Sequence, residues 1–266
     1  MNMEAKYYQK ASTYYDKDAN DFDERYWKNP VLQQMRQSFR EEVKRFPGMH
    51  MLEIGCGTGV DLIHFGKTHP DRKICGLDIS KEMIRLSHKK IRKNKINNIE
   101  VYKGSAEDID NLFPQTLFDT IYVFFGALNT VKDLDLMANK LKKVLKPGGI
   151  LVLTFVNKWY LAGMIIESIR FHFSQAFARI KPVWGGYSPF KYVPSKCYSP
   201  KEIKKAFCKF TLLKSRGYCI VHPAWYYIHI NRRLGKMRNI LWKTDQYLGK
   251  SFLWKFGEYT LFVFQG

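Results

Sequence analysis

An apolar run that breaks off into alternating glycines constrains this chain most. Met49, Met51, Leu52 and Ile54 lead into Gly55-Cys56-Gly57-Thr58-Gly59. A buried strand that ends this way brings bare backbone close to a ligand, because glycine has no side chain to hold it off. The spacing departs from G-x-G-x-x-G, the fingerprint of dinucleotide-binding folds. Val60 stands where the third glycine of that pattern belongs, and an acid, Glu53, precedes the first glycine by two residues.

The surrounding pattern is that of an open parallel sheet. Strands are expected at 49–54, 73–78, 98–103, 118–124 and 150–156, with helices near 59–68, 80–94 and 133–145. Ser80 is placed to cap the second of these helices. Lys146-Pro147-Gly148-Gly149 reads as a tight turn, and Pro47-Gly48 punctuates the chain before the first strand. Four strand–helix units in 155 residues argue for a doubly wound, Rossmann-like fold with right-handed crossovers. Residues 4–46 read as helix, restarted at Pro30, with Val31, Leu32, Met35, Phe39 and Val43 at helical spacing.

Past residue 156 the pattern loosens. A long aromatic-rich helix is expected over 158–181 and an irregular loop over 182–198, with Pro182, Gly185, Gly186, Pro189 and Pro194. Ser199-Pro200-Lys201-Glu202 is a helix start. A sixth strand is expected over 211–221, a basic helix over 230–250, and an apolar strand over Tyr259–Gln265. The chain is read as one domain: a helical lid (1–46), a core (47–156), a cap inserted on the acceptor side (157–212), and last strands with a basic helical connection (213–266).

Charge divides the chain unequally. The net charge is +20, and residues 156–266 hold 19 Lys+Arg against 4 Asp+Glu. Such a balance suits an anionic partner: a phosphorylated substrate, nucleic acid or a membrane surface. The blander reading is a lysine-rich solvated surface. Five widely spaced cysteines form neither a zinc pattern nor a disulfide set, so no metal site and a reducing, cytoplasmic setting are expected. Neither a signal peptide nor a transmembrane helix is expected, since the apolar run Trp159–Ile166 is about half a span.

The residues at the expected strand ends suit one ligand chemistry. Glycines at a helix N-terminus suit a carboxylate. Asp78, closing the second strand, can accept both hydrogen bonds of a ribose diol. Ile79 and Met83 can form an apolar slot for adenine, and Ser105-Ala106-Glu107 can reach its exocyclic amine. All fall at the carboxyl ends of consecutive strands, where open α/β sheets bind ligands.

Over residues 45–156 the chain resembles class I S-adenosylmethionine-dependent methyltransferases. The resemblance implies that Glu53 and the loop Gly55, Cys56, Gly57, Thr58 and Gly59 hold the methionyl end of S-adenosylmethionine. It further implies that the acid at Asp78 holds the ribose, that Gly104 to Asp108 line adenine, and that S-adenosylhomocysteine is the product. Phe118-Asp119-Thr120-Ile121-Tyr122-Val123 and Leu145-Lys146-Pro147-Gly148-Gly149 are similar to later motifs of that family. It implies a seven-stranded sheet, mostly parallel, with an antiparallel last strand. Tyr14-Tyr15-Asp16 and Phe22-Asp23 resemble the lid of ubiquinone/menaquinone-type methyltransferases, where an aromatic such as Tyr15 covers the cofactor; the plain alternative is helix packing. Phe124 is counted with the cofactor site.

Asn129 and His222 are the catalytic candidates. Relatives often carry histidine near position 129, where this chain has Asn129, which cannot act as a base. His222 is the other candidate, and His172 and His229 lie in the cap. Tyr187, Tyr192 and Tyr198 could shape an acceptor pocket. The expected acceptor is a small or lipid-like molecule, anionic or membrane-associated, with peripheral membrane contact as one setting. The alternatives are an RNA methyltransferase that uses the basic, aromatic C-terminal part, and a non-catalytic protein that keeps the fold as a scaffold. The acceptor, the atom methylated and the oligomeric state stay open.

Overall fold

The structure, a computed structural model, describes residues 3–46, 48–187 and 192–266, with side chains from Tyr7 onward. Pro47 and Pro189 lie outside the described residues. The apolar runs become strands β1 (His50–Ile54), β2 (Lys73–Asp78), β3 (Ile99–Lys103), β4 (Phe118–Val123), β5 (Leu145–Val156), β6 (Thr211–Tyr218) and β7 (Tyr259–Gln265). Among the described residues these form one seven-stranded sheet in the order β3-β2-β1-β4-β5-β7-β6. Strand β7 runs antiparallel to both of its neighbours, and β1 to β5 pair in parallel. The expected fold is therefore the observed one.

Parallel strands covered on both faces must be apolar throughout, and their side chains alternate between the two faces. Leu52, Ile121, Val123, Leu151, Leu153, Phe262 and Phe264 pack into one core. Met51, Tyr122, Val152, Leu261 and Val263 pack into a second core on the opposite face. The chain leaves β1 toward β2 on one side and reaches β4 on the other. That reversal puts a crevice at the carboxyl ends of β1 and β4, the switch point of such sheets.

Helix α1 (Met3–Trp27) lies over this crevice and α2 (Pro30–Lys44) supplies Val31, Met35, Phe39 and Val43 to the second core. Asn29 caps α2 by accepting from the N–H groups of Val31 and Leu32, ahead of Pro30. Helices α3 (Val60–Thr68), α4 (Lys81–Lys93), α5 (Ile109–Leu112) and α6 (Leu134–Val144) connect the first five strands. Ser80 caps α4 through the Met83 N–H, and α9 (Pro200–Ala206) opens on a capping box of Ser199 and Glu202.

Four expectations are corrected. The expected helix over 158–181 is broken into α7 (Leu161–Ile169), α8 (Phe173–Ala176) and a 3-10 turn, Ala178–Ile180. Glu167 causes the first break: its carboxylate takes His172 Nδ1 at 3.0 Å, its carbonyl takes the His172 N–H at 2.8 Å, and Phe171 turns left-handed at φ 60. The helix over 230–250 is two, α10 (Ile228–Arg233) and α11 (Met237–Leu248), parted at Gly235 with φ 48. Strand β6 stops at Tyr218, because the buried Asp245 carboxylate captures the N–H groups of Cys219, Ile220, Val221 and His222. Strand β5 begins at Leu145, taking in the expected 146–149 turn with a register shift against β4. All five cysteines are free.

Candidate active site

The glycine loop takes a backbone path few other residues could follow. Gly55, Gly57 and Gly59 have φ of 74, 53 and 77. A Cβ on Gly55 would sit 2.4 Å from that of Ala127, so a side chain there is strained and blocked. The N–H groups of Gly55 and Cys56 both donate to the Leu77 carbonyl, at 2.7 and 3.1 Å, tying the loop to the end of β2.

Asp78 stands at the centre of this joint. Its Oδ2 accepts from the Gly57 N–H at 2.8 Å and its Oδ1 from the Ser80 N–H at 2.9 Å. Each oxygen keeps a further lone pair, so the carboxylate is aligned and can still accept from a diol. Burial raises its pKa to about 6, against the lowering pull of the Ser80 and Gly57 N–H groups, with Asp16 adding to the rise.

These groups border a cavity of about 130 Å³. Of the residues expected to bind the cofactor, Tyr15, Gly55, Gly57, Asp78, Ile79, Met83, Ser105, Ala106 and Phe124 line it. Glu53, Cys56, Thr58, Gly59 and Glu107 do not. Glu53 is buried behind the loop, where it accepts from the Tyr122 hydroxyl at 3.3 Å; burial and the charge of Asp61 raise its pKa well above normal. Gly59 is pressed against Ser87 of α4. Glu107 is engaged by the Tyr8 hydroxyl and the Lys132 N–H, and the Ser105 hydroxyl donates to Asp108 at 2.8 Å.

The roof is α1, and it is latched to the loops beneath it. The Thr58 hydroxyl donates to Asp23 at 2.6 Å, and the Ser80 hydroxyl donates to Asp16 at 2.6 Å. Asp16 also accepts from the Glu82 N–H at 3.1 Å, the Ser12 hydroxyl donates to the Ile79 carbonyl at 3.2 Å, and Lys90 pairs with Asp23. Phe22 lies over Gly57, its ring 3.6 Å from where a Cβ would be.

A second cavity of about 320 Å³ adjoins the first, and Tyr15, Phe22, Phe125 and Thr130 line both. Its wall is largely aromatic, with Tyr14, Tyr26, Trp184, Tyr187, Trp225, Tyr226 and Tyr259. Buried Arg36 stacks its guanidinium 4.4 Å from the Tyr26 ring centroid and 4.7 Å from that of Phe125, and it pairs with Asp61. Two donors on this wall, Arg36 Nε and Trp225 Nε1, are buried without a hydrogen-bond partner. Such groups are costly unless something accepts from them.

The catalytic candidates fare differently. Asn129 lines the second cavity, but its amide is spent on structure: it donates to the carbonyls of Val156 and Lys196 and accepts from the Val156 N–H. His222 is buried away from both cavities, its Nδ1 on the Pro223 carbonyl at 2.7 Å; burial lowers its pKa. His172 pairs with Glu167 and His229 is exposed. Tyr187 lies on the cavity wall and bonds Tyr259 at 2.8 Å, whereas Tyr198 is buried against Phe155 and Tyr192 is exposed.

Sequence reasoning missed Arg36 and Trp225 as wall residues. Trp225 fell within the basic, aromatic segment, but Arg36 looks like any polar residue of an amphipathic helix. Asp16 and Asp23 were visible in the lid motif, though not as latches.

A sequence family described as a methyltransferase domain matches residues 45–186. An uncharacterised protein of Methanocaldococcus jannaschii is 31% identical over 256 residues, 94% of this chain and 88% of its own. A demethylmenaquinone methyltransferase of Listeria welshimeri is 27% identical over 146 residues, 54% of this chain and 58% of that protein. The chain likewise spans about half the length, 51%, of a Rickettsia prowazekii relative. Among solved structures, an S-adenosylmethionine-dependent methyltransferase of Mesorhizobium loti superposes with a TM-score of 0.56 at 15% identity, over 86% of this chain and 96% of that one.

Proposed function

The chain belongs to the methyltransferase-domain family, the class I S-adenosylmethionine-dependent methyltransferases, and from that premise we propose that it methylates a small or lipid-like acceptor carrying a ring with oxygen substituents. The observation that carries this reading is the pair of adjoining cavities with a common wall of Tyr15, Phe22, Phe125 and Thr130. A donor held in one and an acceptor held in the other would meet across those four side chains, with water excluded by the lid.

The residues present fit the donor. Bare backbone at Gly55 and Gly57 admits its methionyl end, the aligned Asp78 carboxylate accepts from its ribose, and Ile79, Met83 and Ala106 offer an apolar slot. When bound, S-adenosylmethionine supplies a methyl group on a sulfonium, which passes to the acceptor by in-line displacement and leaves S-adenosylhomocysteine.

The second cavity argues for the acceptor. Aromatic walls suit a flat ring. Arg36 Nε–H and Trp225 Nε1–H, closed off from the cavity as it stands, would each donate to an oxygen of that ring once the wall parts around it. The relative named demethylmenaquinone methyltransferase supports an acceptor of this kind. With Asn129 fixed in structure and His222 remote, the chain's contribution is alignment and exclusion of water, with Arg36 favouring negative charge on the acceptor oxygen.

Incubation with methyl-labelled cofactor and separate lipid, aqueous and RNA extracts tests the reading. Label is expected in the organic-soluble fraction, carried on a ring-bearing product. Label confined to RNA or protein would contradict it.

A further inference from the structure

The structure sorts the charge of residues 156–266 by exposure. Of their acidic side chains, Glu167, Asp245 and Glu258 are buried, and Glu202 is half-buried in the α9 capping box. Arg232, Arg233, Lys236 and Lys243, on and between α10 and α11, are exposed. Ordinary protein surfaces intersperse the two signs; here the exposed charge is overwhelmingly of one sign.

Apolar surface is sorted as well. In α7, Gly163, Met164 and Glu167 line a third cavity of about 600 Å³. Ala162 and Ile166 pack toward Tyr227 and Ile230, beside α10. The remaining face carries Leu161, Ile165 and Ile169 at four-residue spacing, all exposed, Ile169 at 72%. The stripe continues through Phe171, Phe173 and Phe177, with Phe171 exposed at 82%. The left-handed turn closed by Glu167 holds Phe171 outward. Ile228 is exposed on the neighbouring α10. Bare aliphatic and aromatic surface of this extent marks an interaction site.

We propose that α7, α8 and the adjoining α10 form a docking face for an anionic lipid bilayer. The α7–α8 stripe enters the boundary between headgroups and acyl chains, and Arg232 and Arg233 of α10 meet anionic headgroups. Charge complementarity selects this occupant. A second copy of the chain would bring like charges together, and a nucleic acid would leave the aliphatic stripe without a partner. No described helix is long and apolar enough to cross a membrane, so the contact is interfacial. The cavity behind α7 shares Trp184, Tyr187 and Tyr226 with the proposed acceptor cavity, so the face would also open a route from the bilayer inward. Docking itself does not rest on methyl transfer.

Vesicle flotation with the full chain tests this. Binding is expected to vesicles containing phosphatidylglycerol, to weaken as salt is raised, and to be weaker for phosphatidylcholine alone. I165E/I169E and R232E/R233E are each expected to weaken binding to anionic vesicles by about tenfold or more, with the melting temperature unchanged. Should I165E/I169E melt early, F171N serves instead, since asparagine tolerates the left-handed conformation. Absence of binding to anionic vesicles, or wild-type binding by I165E/I169E, would overturn the proposal. So would tRNA retention lost only in R232E/R233E, which assigns the face to nucleic acid, or a dimer dissolved by I165E/I169E, which assigns it to a second copy.

Discussion

In the proposed function Asp78 bears most of the site's chemistry, and its environment makes its behaviour testable. Its carboxyl titrates at about 6 because burial outweighs the two N–H donors. The ionised form is the one that accepts from a diol, so affinity for the cofactor should fall as pH drops through about 6 and level off above it. Asp78→Asn should be weaker at high pH and flat across the range; calorimetric titration from pH 5 to 8 reads both, and a wild type that binds equally well throughout would count against this placement. Asp78→Ala should weaken binding by more than about tenfold, since charge-assisted hydrogen bonds are lost. Arg36 makes the corresponding prediction for the acceptor. Arg36→Lys keeps charge but loses the planar donor, so KM for the acceptor should rise with little change in cofactor affinity. The places of Gly55 and Asp78 at the crevice could be read from residue type and position, because few residues satisfy a left-handed turn or suit a diol. Arg36 could not: its use depends on Tyr26, Phe125 and Asp61, which only the fold brings near.

Among the elements, α1 covers the crevice and in the proposed function governs access to it. Asp16 and Asp23 anchor it to the loops after β1 and β2 through the hydroxyls of Ser80 and Thr58. Each such bond, accepted by a carboxylate, contributes about 1.5–3 kcal/mol. Asp16→Ala with Asp23→Ala should leave the sheet intact, make α1 sensitive to limited proteolysis, and speed cofactor release. Unchanged proteolysis would mean that Tyr15 and Phe22 packing holds the lid unaided. The caps at Asn29, Ser80 and Ser199 and the parallel strands were legible because their signals are local. The break after α7 and the end of β6 were not. One depends on Glu167 folding back on His172, and the other on Asp245, a residue far along the chain that binds four consecutive N–H groups. Local periodicity carries no trace of either.

At the scale of the molecule, buried carboxyls and buried histidines pull the response to pH in opposite directions. Glu258, enclosed beside Arg179 at 3.3 Å, is raised to about 7 by burial despite that pairing, and Asp78 to about 6. Both folded-state values lie above the unfolded ones, so the folded chain holds these protons more tightly. The stability they confer is full below about pH 4 and is lost as pH rises through about 7. The carboxylates held low, such as Asp110 and Asp119, act only below that window. Burial lowers His64, to about 4, and also His69 and His222, which opposes that loss, so the prediction is a difference: the urea midpoint of the wild type relative to Glu258→Gln should fall between pH 5 and pH 7.5, and a constant or rising difference would contradict the buried environment of Glu258. In the proposed function the crevice between β1 and β4 holds S-adenosylmethionine under α1. Calorimetric titration of the wild-type chain with S-adenosylmethionine and S-adenosylhomocysteine tests it most directly. One-site binding of both is predicted, weakened more than about tenfold in Asp78→Ala; no heat with either ligand, or equal heat from the variant, would contradict it.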